Sequence, residues 1–320
     1  MRSIRSTLRA HRLLVATLGG LTLLTGSPLR AQSRAEDRAR EREQARIERE
    51  RERERDREER ERDREKNDRD RRNNDDRDQQ RDNTYSWSGV IASGKRIIIK
   101  DINGGIEVQR GASNKVEVSA EKRWKRGEPR DVRIEDKRVG DEVLICALWR
   151  SESTCDIDGI HSPRNSRWSD NKNNDVSVHF IVKVPDGVRV DVETVNGQLI
   201  VGGVTNDVRA VTVNGSIDAR SSGGPVRAKT VNGSIRVSMG SIGGASDLDY
   251  ETVNGSVTIE LPTNFGAQLE LGTVNGHVTT DFPITISGTM SPRRLRGTIG
   301  DGRTRLRAST VNGSVTLRKN

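Results

Sequence analysis

The chain has 320 residues, 32% of them charged and 3% aromatic, with a formal net charge of +9. The charge is divided as +5 in residues 1–32, −1 in 33–82 and +5 in 83–320, so the basic balance does not mark a nucleic-acid-binding domain. Two cysteines, with His161 the single candidate ligand beside them, exclude a zinc site of four ligands.

The first segment carries Arg2, Arg5, Arg9 and Arg12, then an apolar run from Leu13 to Leu24, then the small residue Ala31. That order predicts a secretory signal peptide over 1–31. The alternative, an uncleaved membrane anchor, suits the run poorly because it is short and interrupted by glycine. No cysteine lies near the cleavage point and no twin arginine precedes the run, so general export of a non-lipidated protein is expected, to the periplasm, cell surface or medium.

Residues 32–83 read as a charged spacer. Between 33 and 82 there are 19 basic and 20 acidic residues, and Ile47 is the one large apolar residue. No core can form from this composition, and no apolar seam supports a coiled coil. Glu and Arg favour helix as far as about Lys66, and from Asn67 onward Asn, Asp and Gln predict disorder.

Residues 84–320 read as short strands. Arg96–Lys100 leads into Asp101-Ile102-Asn103-Gly104, a divergent first copy of a later motif. Lys115–Ala120 alternates at period two, and Val143–Leu148 and Val176–Val184 are further strand candidates. The stretch between Arg150 and Asn174 is polar and predicts a long loop. Cys146 and Cys155, nine positions apart in an exported chain, predict a disulfide at its start. Trp149 and Trp168 flank the loop, either as packing residues or as platforms for sugar rings.

Thr-Val-Asn-Gly then recurs, beginning at Thr194, Thr212, Thr230, Thr252, Thr273 and Thr310, with steps of 18, 18, 22, 21 and 37 residues. The last step reads as two periods with a degenerate copy between. The repeated pairs are Asn196-Gly197, Asn214-Gly215, Asn232-Gly233, Asn254-Gly255, Asn275-Gly276 and Asn312-Gly313. Each unit is two short strands about an Asn-Gly bend, apolar on one side. An antiparallel meander of hairpins is one solution. A solenoid is the other, and it alone explains why Thr-Val precedes every bend, since equivalent positions stack on one another. The fold class is therefore all-β: a repeat β-solenoid, parallel β-helix-like, with asparagines placed to form an amide ladder and glycines at the corners.

The run Val-Pro-Asp-Gly-Val-Arg-Val-Asp-Val-Glu-Thr-Val-Asn-Gly at 184–197, followed by serial Thr-Val-Asn-Gly-Ser units, resembles the bacterial putative-adhesin family of β-strand-repeat domains of unknown function. The resemblance covers about residues 87–320. It implies an envelope-associated β-solenoid with an adhesive role, and it brings no catalytic residues.

No catalytic constellation emerges from the residues. His161, His179 and His277 lack partner spacing, and there is no nucleophile elbow or phosphate loop. No cofactor or metal is expected; Asp247, Asp249 and Glu251 alternate on one strand face but read as solvated acids. Residues 290–320 carry a net +7 against −5 for 186–289. Arg303, Arg305 and Arg307 alternate there, either protecting the edge of a final coil or attracting an anionic partner. The expected function is adhesion or envelope organisation without catalysis. An anionic-polymer or glycan-binding module is the alternative, and a polysaccharide-active enzyme is a third. Candidate partners are envelope polysaccharide, anionic lipid or a protein, with nucleic acid excluded.

Overall fold

A computed structural model of the chain describes residues 28–150, 152–162, 174–242, 247–286 and 291–320, with helix side chains for 38–70 and 83. Residues 1–27 of the expected signal peptide, and residues 151 and 163–173 of the polar loop, Trp168 among them, lie outside the described residues. The chain divides into two compact units, 1–73 and 74–320.

Helix α1 spans Pro28–Asn83. Proline at the first helical position loses no hydrogen bond, and neither proline nor glycine occurs again before residue 84. All described side chains from 38 to 70 are exposed, so only local terms support the helix. The Glu58–Arg62 pair, at 3.9 Å and i,i+4 spacing, contributes a few tenths of a kcal/mol at most. The disorder expected from Asn67 onward is corrected: the helix continues to Asn83. Extending a helix fixes one residue per added hydrogen bond, and no breaker stands in its way.

From Thr84 onward the second unit is built of strands, with one 3-10 turn at Pro129–Asp131. Its first part holds β1 (Thr84–Gly89), β2 (Arg96–Lys100), β3 (Ile106–Arg110), β4 (Val116–Arg123), β5 (Arg133–Val139) and β6 (Glu142–Leu148). The hairpin β7 (Thr154–Cys155) and β8 (Ile160–His161) lies within the loop expected to be irregular, and β9 (Ser177–Val184) follows. The repeats supply β10 (Arg189–Glu193), β11 (Leu199–Val204), β12 (Val208–Val211), β13 (Ile217–Ser221), β14 (Val226–Lys229), β15 (Ile235–Met239), β16 (Leu248–Glu251) and β17 (Val257–Leu261). The last part is β18 (Ala267–Asn275), β19 (Val278–Thr280), β20 (Thr285–Ile286), β21 (Arg294–Ile299), β22 (Thr304–Asn312) and β23 (Val315–Lys319).

Among β10–β19, β22 and β23, odd and even strands sort into two sheets, so each repeat coil contributes one strand to each. One sheet runs β1-β4-β9-β3-β11-β13-β15-β17-β23-β19, the other β20-β21-β18-β22-β16-β14-β12-β10-β2-β6-β5. Neighbouring coils pair in parallel and in register, for example Val208 with Val226 and Ile217 with Ile235. The hairpin meander is thereby excluded. Inward residues stack in rows, such as Val190, Val208, Val226, Leu248 and Leu306 from one sheet and Leu199, Ile217, Ile235, Val257 and Val315 from the other, all buried. Each contributes about 1.5–3 kcal/mol of burial.

Coil order departs from chain order at the end. The 37-residue step does not hold a degenerate copy. β18 and β19 first occupy the last layer, β20 and β21 turn back antiparallel beside β18, and β22 and β23 enter the layer between β16/β17 and β18/β19. Arg303, Arg305 and Arg307 consequently do not protect a terminal edge, because β22 has a parallel neighbour on each side. Charge explains the slot. Arg307 is in register with Asp249 on β16 and Glu270 on β18, and its Nε lies 3.3 Å from Glu270. Without β22 between them, those two acids would be stacked as neighbours, which like charges oppose.

Two changes test this packing. Gly233→Ala would drive a methyl group into the carbonyl of Gly215. A loss of about 3 kcal/mol or more is expected in urea titration, since both partners are backbone. Arg307→Glu, which sets three carboxylates in register, should cost on the order of 1 kcal/mol, and the loss should shrink in high salt.

Candidate functional site

The repeated corner divides its work among four residues. The threonine is buried, or half-buried in the case of Thr273, and its hydroxyl donates to a glycine carbonyl of the neighbouring coil. Thr194 reaches Gly104 O at 3.1 Å, Thr212 Gly197 O at 3.0 Å and Thr230 Gly215 O at 2.8 Å. Thr252, Thr310 and Thr273 repeat the contact to Gly233, Gly255 and Gly313 at 2.7–2.8 Å. A Cβ on Gly197, Gly215, Gly233, Gly255, Gly276 or Gly313 would overlap the carbonyl of the coil beneath. Glycine is required there for close approach between backbones.

The asparagines point outward and form a ladder. Nδ2 of Asn214 donates to Oδ1 of Asn196 at 2.8 Å, and Asn232, Asn254, Asn312 and Asn275 continue the series at the same distance, to Asn214, Asn232, Asn254 and Asn312. At the other end Asn103 donates to the Val176 carbonyl at 2.9 Å. The valine between Thr and Asn faces solvent: Val195, Val213, Val231, Val253 and Val311 are 36–38% exposed and Val274 55%. The serine hydroxyls of Ser216, Ser234, Ser256 and Ser314 each accept a backbone N–H from the next coil, Ser314 from His277.

The outer face of the sheet containing β10 to β22 is an ion-pair lattice. Arg209 meets Asp191 at 2.8 Å, Arg189 meets Asp207 at 2.9 Å and Lys229 meets Asp249 at 2.7 Å. Asp249 and Glu251 thus share Lys229. Arg303 pairs with Asp301 at 2.9 Å, Arg296 and Arg307 share Glu270, and Arg305 lies opposite Gln268. The sequence-local excess of arginine is thereby interleaved with acids from earlier strands.

At the opposite end, Cys146 and Cys155 are joined, with Cα atoms 6.4 Å apart. They pack with Ile98, Leu144, Leu148 and Ile160 in a small cluster on the face of the sheet away from Ile97 and Ile99. Trp149 is half-buried and donates to the Val176 carbonyl at 3.0 Å, a packing role. His161 lies 3.0 Å from Asp156, on the surface. Among the described residues no group of three or more His, Cys, Asp or Glu is gathered as a metal site. No helix among them is long and apolar enough to cross a membrane.

Asp101, which the sequence did not single out, holds the threonine slot of the first corner and is 2% exposed. Burial pushes its carboxyl up to about 8, against the pull of the Ile102 and Asn103 N–H groups and the Thr194 hydroxyl. None of these forms a well-aligned hydrogen bond to it. The folded state thus holds a proton that the unfolded chain releases near pH 4. Stability should fall as pH rises from about 4 to about 8, by up to ~1.4 kcal/mol per pH unit, and level off above. Asp101→Thr, which restores the hydroxyl of the other corners, should flatten that slope in urea titrations at pH 5, 7 and 9.

Three solved structures are similar to this chain. A putative cell adhesion protein from Clostridium sporogenes shares 10% identity over 74% of this chain and 100% of its own, with a TM-score of 0.43. A putative adhesin from Bacteroides fragilis shares 9% over 74% and 97%, with 0.34. One from Parabacteroides distasonis shares 11% over 73% and 96%, with 0.23. No curated protein matches the chain. Residues 161–318 match the family model described as Toastrack DUF4097, a span that takes in every Thr-Val-Asn-Gly corner. Over that span, just under half of its length, the chain is similar to the Toastrack family.

Proposed function

We propose that this chain is an exported, non-enzymatic β-solenoid that presents its surface for adhesion or envelope organisation. The observation that carries the reading is the unbroken rank of equivalent corners, from Asn103 through Asn196, Asn214, Asn232, Asn254 and Asn312. Each polar group of that rank is committed to holding the next coil or faces solvent in a fixed row. An enzyme gathers unlike groups around one reacting centre; the solenoid spreads like groups along a line. The basic and apolar start of the sequence supports export, as does the Cys146–Cys155 bridge, which persists in oxidising compartments.

Similar proteins are a putative cell adhesion protein and a putative adhesin, and an adhesive role is carried to this chain as part of the proposal. An anionic partner at Arg303, Arg305 and Arg307 has weaker support, because Asp301 and Glu270 already pair with two of them. Fractionation of the native organism with an antibody to the chain tests the reading. The protein is expected in the envelope or medium, with an intact mass lacking about the first 31 residues, the length of an ordinary export signal. Cytoplasmic protein that retains Met1 would overturn it.

A further inference from the structure

The corner rank differs chemically from the rest of the surface. Positions two to five of its corners read Val195-Asn196-Gly197-Gln198, Val213-Asn214-Gly215-Ser216, Val231-Asn232-Gly233-Ser234, Val253-Asn254-Gly255-Ser256, Val311-Asn312-Gly313-Ser314 and Val274-Asn275-Gly276-His277. In a chain that is 32% charged, this strip contains no Asp, Glu, Lys or Arg. Charged residues border it on both sides, including Glu193, Lys229 and Glu251 on one sheet and Asp218 and Arg236 on the other. With the coil spacing of about 4.8 Å, the six valines form an apolar line roughly 24 Å long.

The polar groups of the strip keep unspent capacity in a regular array. A primary amide has two N–H donors and an oxygen with two lone pairs. In Asn214, Asn232, Asn254 and Asn312 the ladder uses one N–H and one lone pair, leaving one donor and one acceptor facing outward at each coil. Ser216, Ser234, Ser256 and Ser314 accept through Oγ, so each retains its O–H to donate. Four of the six coils therefore offer the same three features: a branched apolar side chain, an amide able to donate and accept, and a hydroxyl; Gln198 and His277 replace the hydroxyl in the other two.

We infer that this strip is a binding surface for an extended, uncharged polysaccharide lying along the solenoid axis. The inference rests on the proposed envelope role and names the partner class for it. Sugar rings present C–H faces that pack on the valines and hydroxyls that both give and take hydrogen bonds. In an extended β-1,4-linked chain successive rings advance by a distance close to the coil spacing of ~4.8 Å and alternate rings are turned over, so the same contacts recur at every second ring. Weak identical contacts in series multiply into useful affinity. A polyanion gains nothing from a strip without cations. A second copy of the chain would meet it ridge to ridge, and six valines, five of them 36–38% exposed and Val274 55%, fall well short of the ~800 Å² per partner that stable protein pairs bury.

The test uses the full mature chain on columns of amorphous cellulose, chitin and β-mannan, with heparin as the charged control. Retention on at least one neutral polymer is expected, unchanged in molar salt because no ion pair is involved. Two variants remove the apolar line: Val213→Lys with Val253→Lys, and Val213→Thr, Val231→Thr and Val253→Thr together. The threonines keep the β-branched shape suited to strands, so this variant guards against a folding artefact, checked by its melting curve. Both variants should bind about tenfold or more weakly. Absence of retention on all three neutral polymers, retention on heparin alone, or unchanged binding by the threonine variant would overturn the inference. A fall in oligomeric mass on size exclusion, with column retention unchanged, would assign the strip to self-association and overturn it too. Envelope fractionation is read separately, so an exported protein that fails on the columns sinks the ligand class and leaves the envelope role standing.

Discussion

The structure depends on one close approach, between the glycine of each corner and the glycine carbonyl of the coil beneath it. Stacked coils at strand spacing leave no room for a Cβ at Gly215, Gly233 or Gly255. The same approach brings the carbonyl within reach of the buried threonine hydroxyl, at 2.8 Å for Thr230 and Gly215. The two residues are coupled: glycine admits the backbone, and threonine satisfies the oxygen that arrives, which buried without a partner would cost 1–3 kcal/mol. Once threonine points inward, the alternation of side chains turns valine out. The asparagine that follows is placed over its counterpart, and its amide closes the ladder.

Stacking alone is indifferent to which coil follows which, since the corners are nearly interchangeable. The outer residues supply the discrimination. Asp191, Asp207, Asp249 and Glu270 lie among Arg209, Arg227, Lys229 and Arg307 on one face; Arg209 and Arg227 stand in register but pair with Asp191 and Asp207 respectively, and pairs such as Arg209–Asp191 and Lys229–Asp249 are 2.7–2.8 Å apart. Each exposed pair contributes little by itself. As a set they favour the observed layer order, since pairs such as Lys229–Asp249 and Arg307–Glu270 are lost if a coil changes place. This logic accounts for the last coil. A basic β22 belongs between an acidic β16 and an acidic β18, and the chain doubles back through β20 and β21 to put it there.

The architecture was legible wherever it depended on translation. Recurrence of Thr-Val-Asn-Gly at steps of 18, 18, 22 and 21 residues indicates stacked units, and its invariance around Asn-Gly separates a solenoid from a hairpin meander. The outward amides of Asn196 to Asn312 followed from the same reasoning. Order in space was not legible, because a repeat states that coils are alike and is silent about their sequence in the stack. Arg303, Arg305 and Arg307 were therefore read as a terminal patch when β22 is interior. The outward valines were overlooked because Val in a strand pattern reads as core, and only the corner geometry turns it out. Asp101 was passed over for a related reason. Its place in a divergent copy hid the fact that it stands in a buried hydroxyl's slot. The helix past Asn67 was missed because composition reports the lack of a core, whereas the continuity of a single helix depends on the lack of a breaker.

A stack of identical coils also needs a means of stopping, since its last layer would template another copy. The first end solves this by breaking the corner rule. The layer made by β6 and β9 has the inward rows of the others, with Val143, Ile145, Phe180 and Val182 buried, but no Thr-Val-Asn-Gly between its strands. Asn103 finds the Val176 carbonyl where another asparagine would be, and Trp149 donates to the same oxygen. Asp175, beside them, accepts the backbone N–H groups of Lys125, Arg126 and Gly127 at 2.9–3.1 Å, which holds its carboxyl down to about 2. It thereby ties the end of β4 across the layer. β4 and β1 then continue one sheet antiparallel and β5 the other, so the parallel register that the corners require is lost. The long insertion between the first and second corners is thus the terminator of the ladder, and the regularity that makes a repeating surface extends only as far as that cap allows.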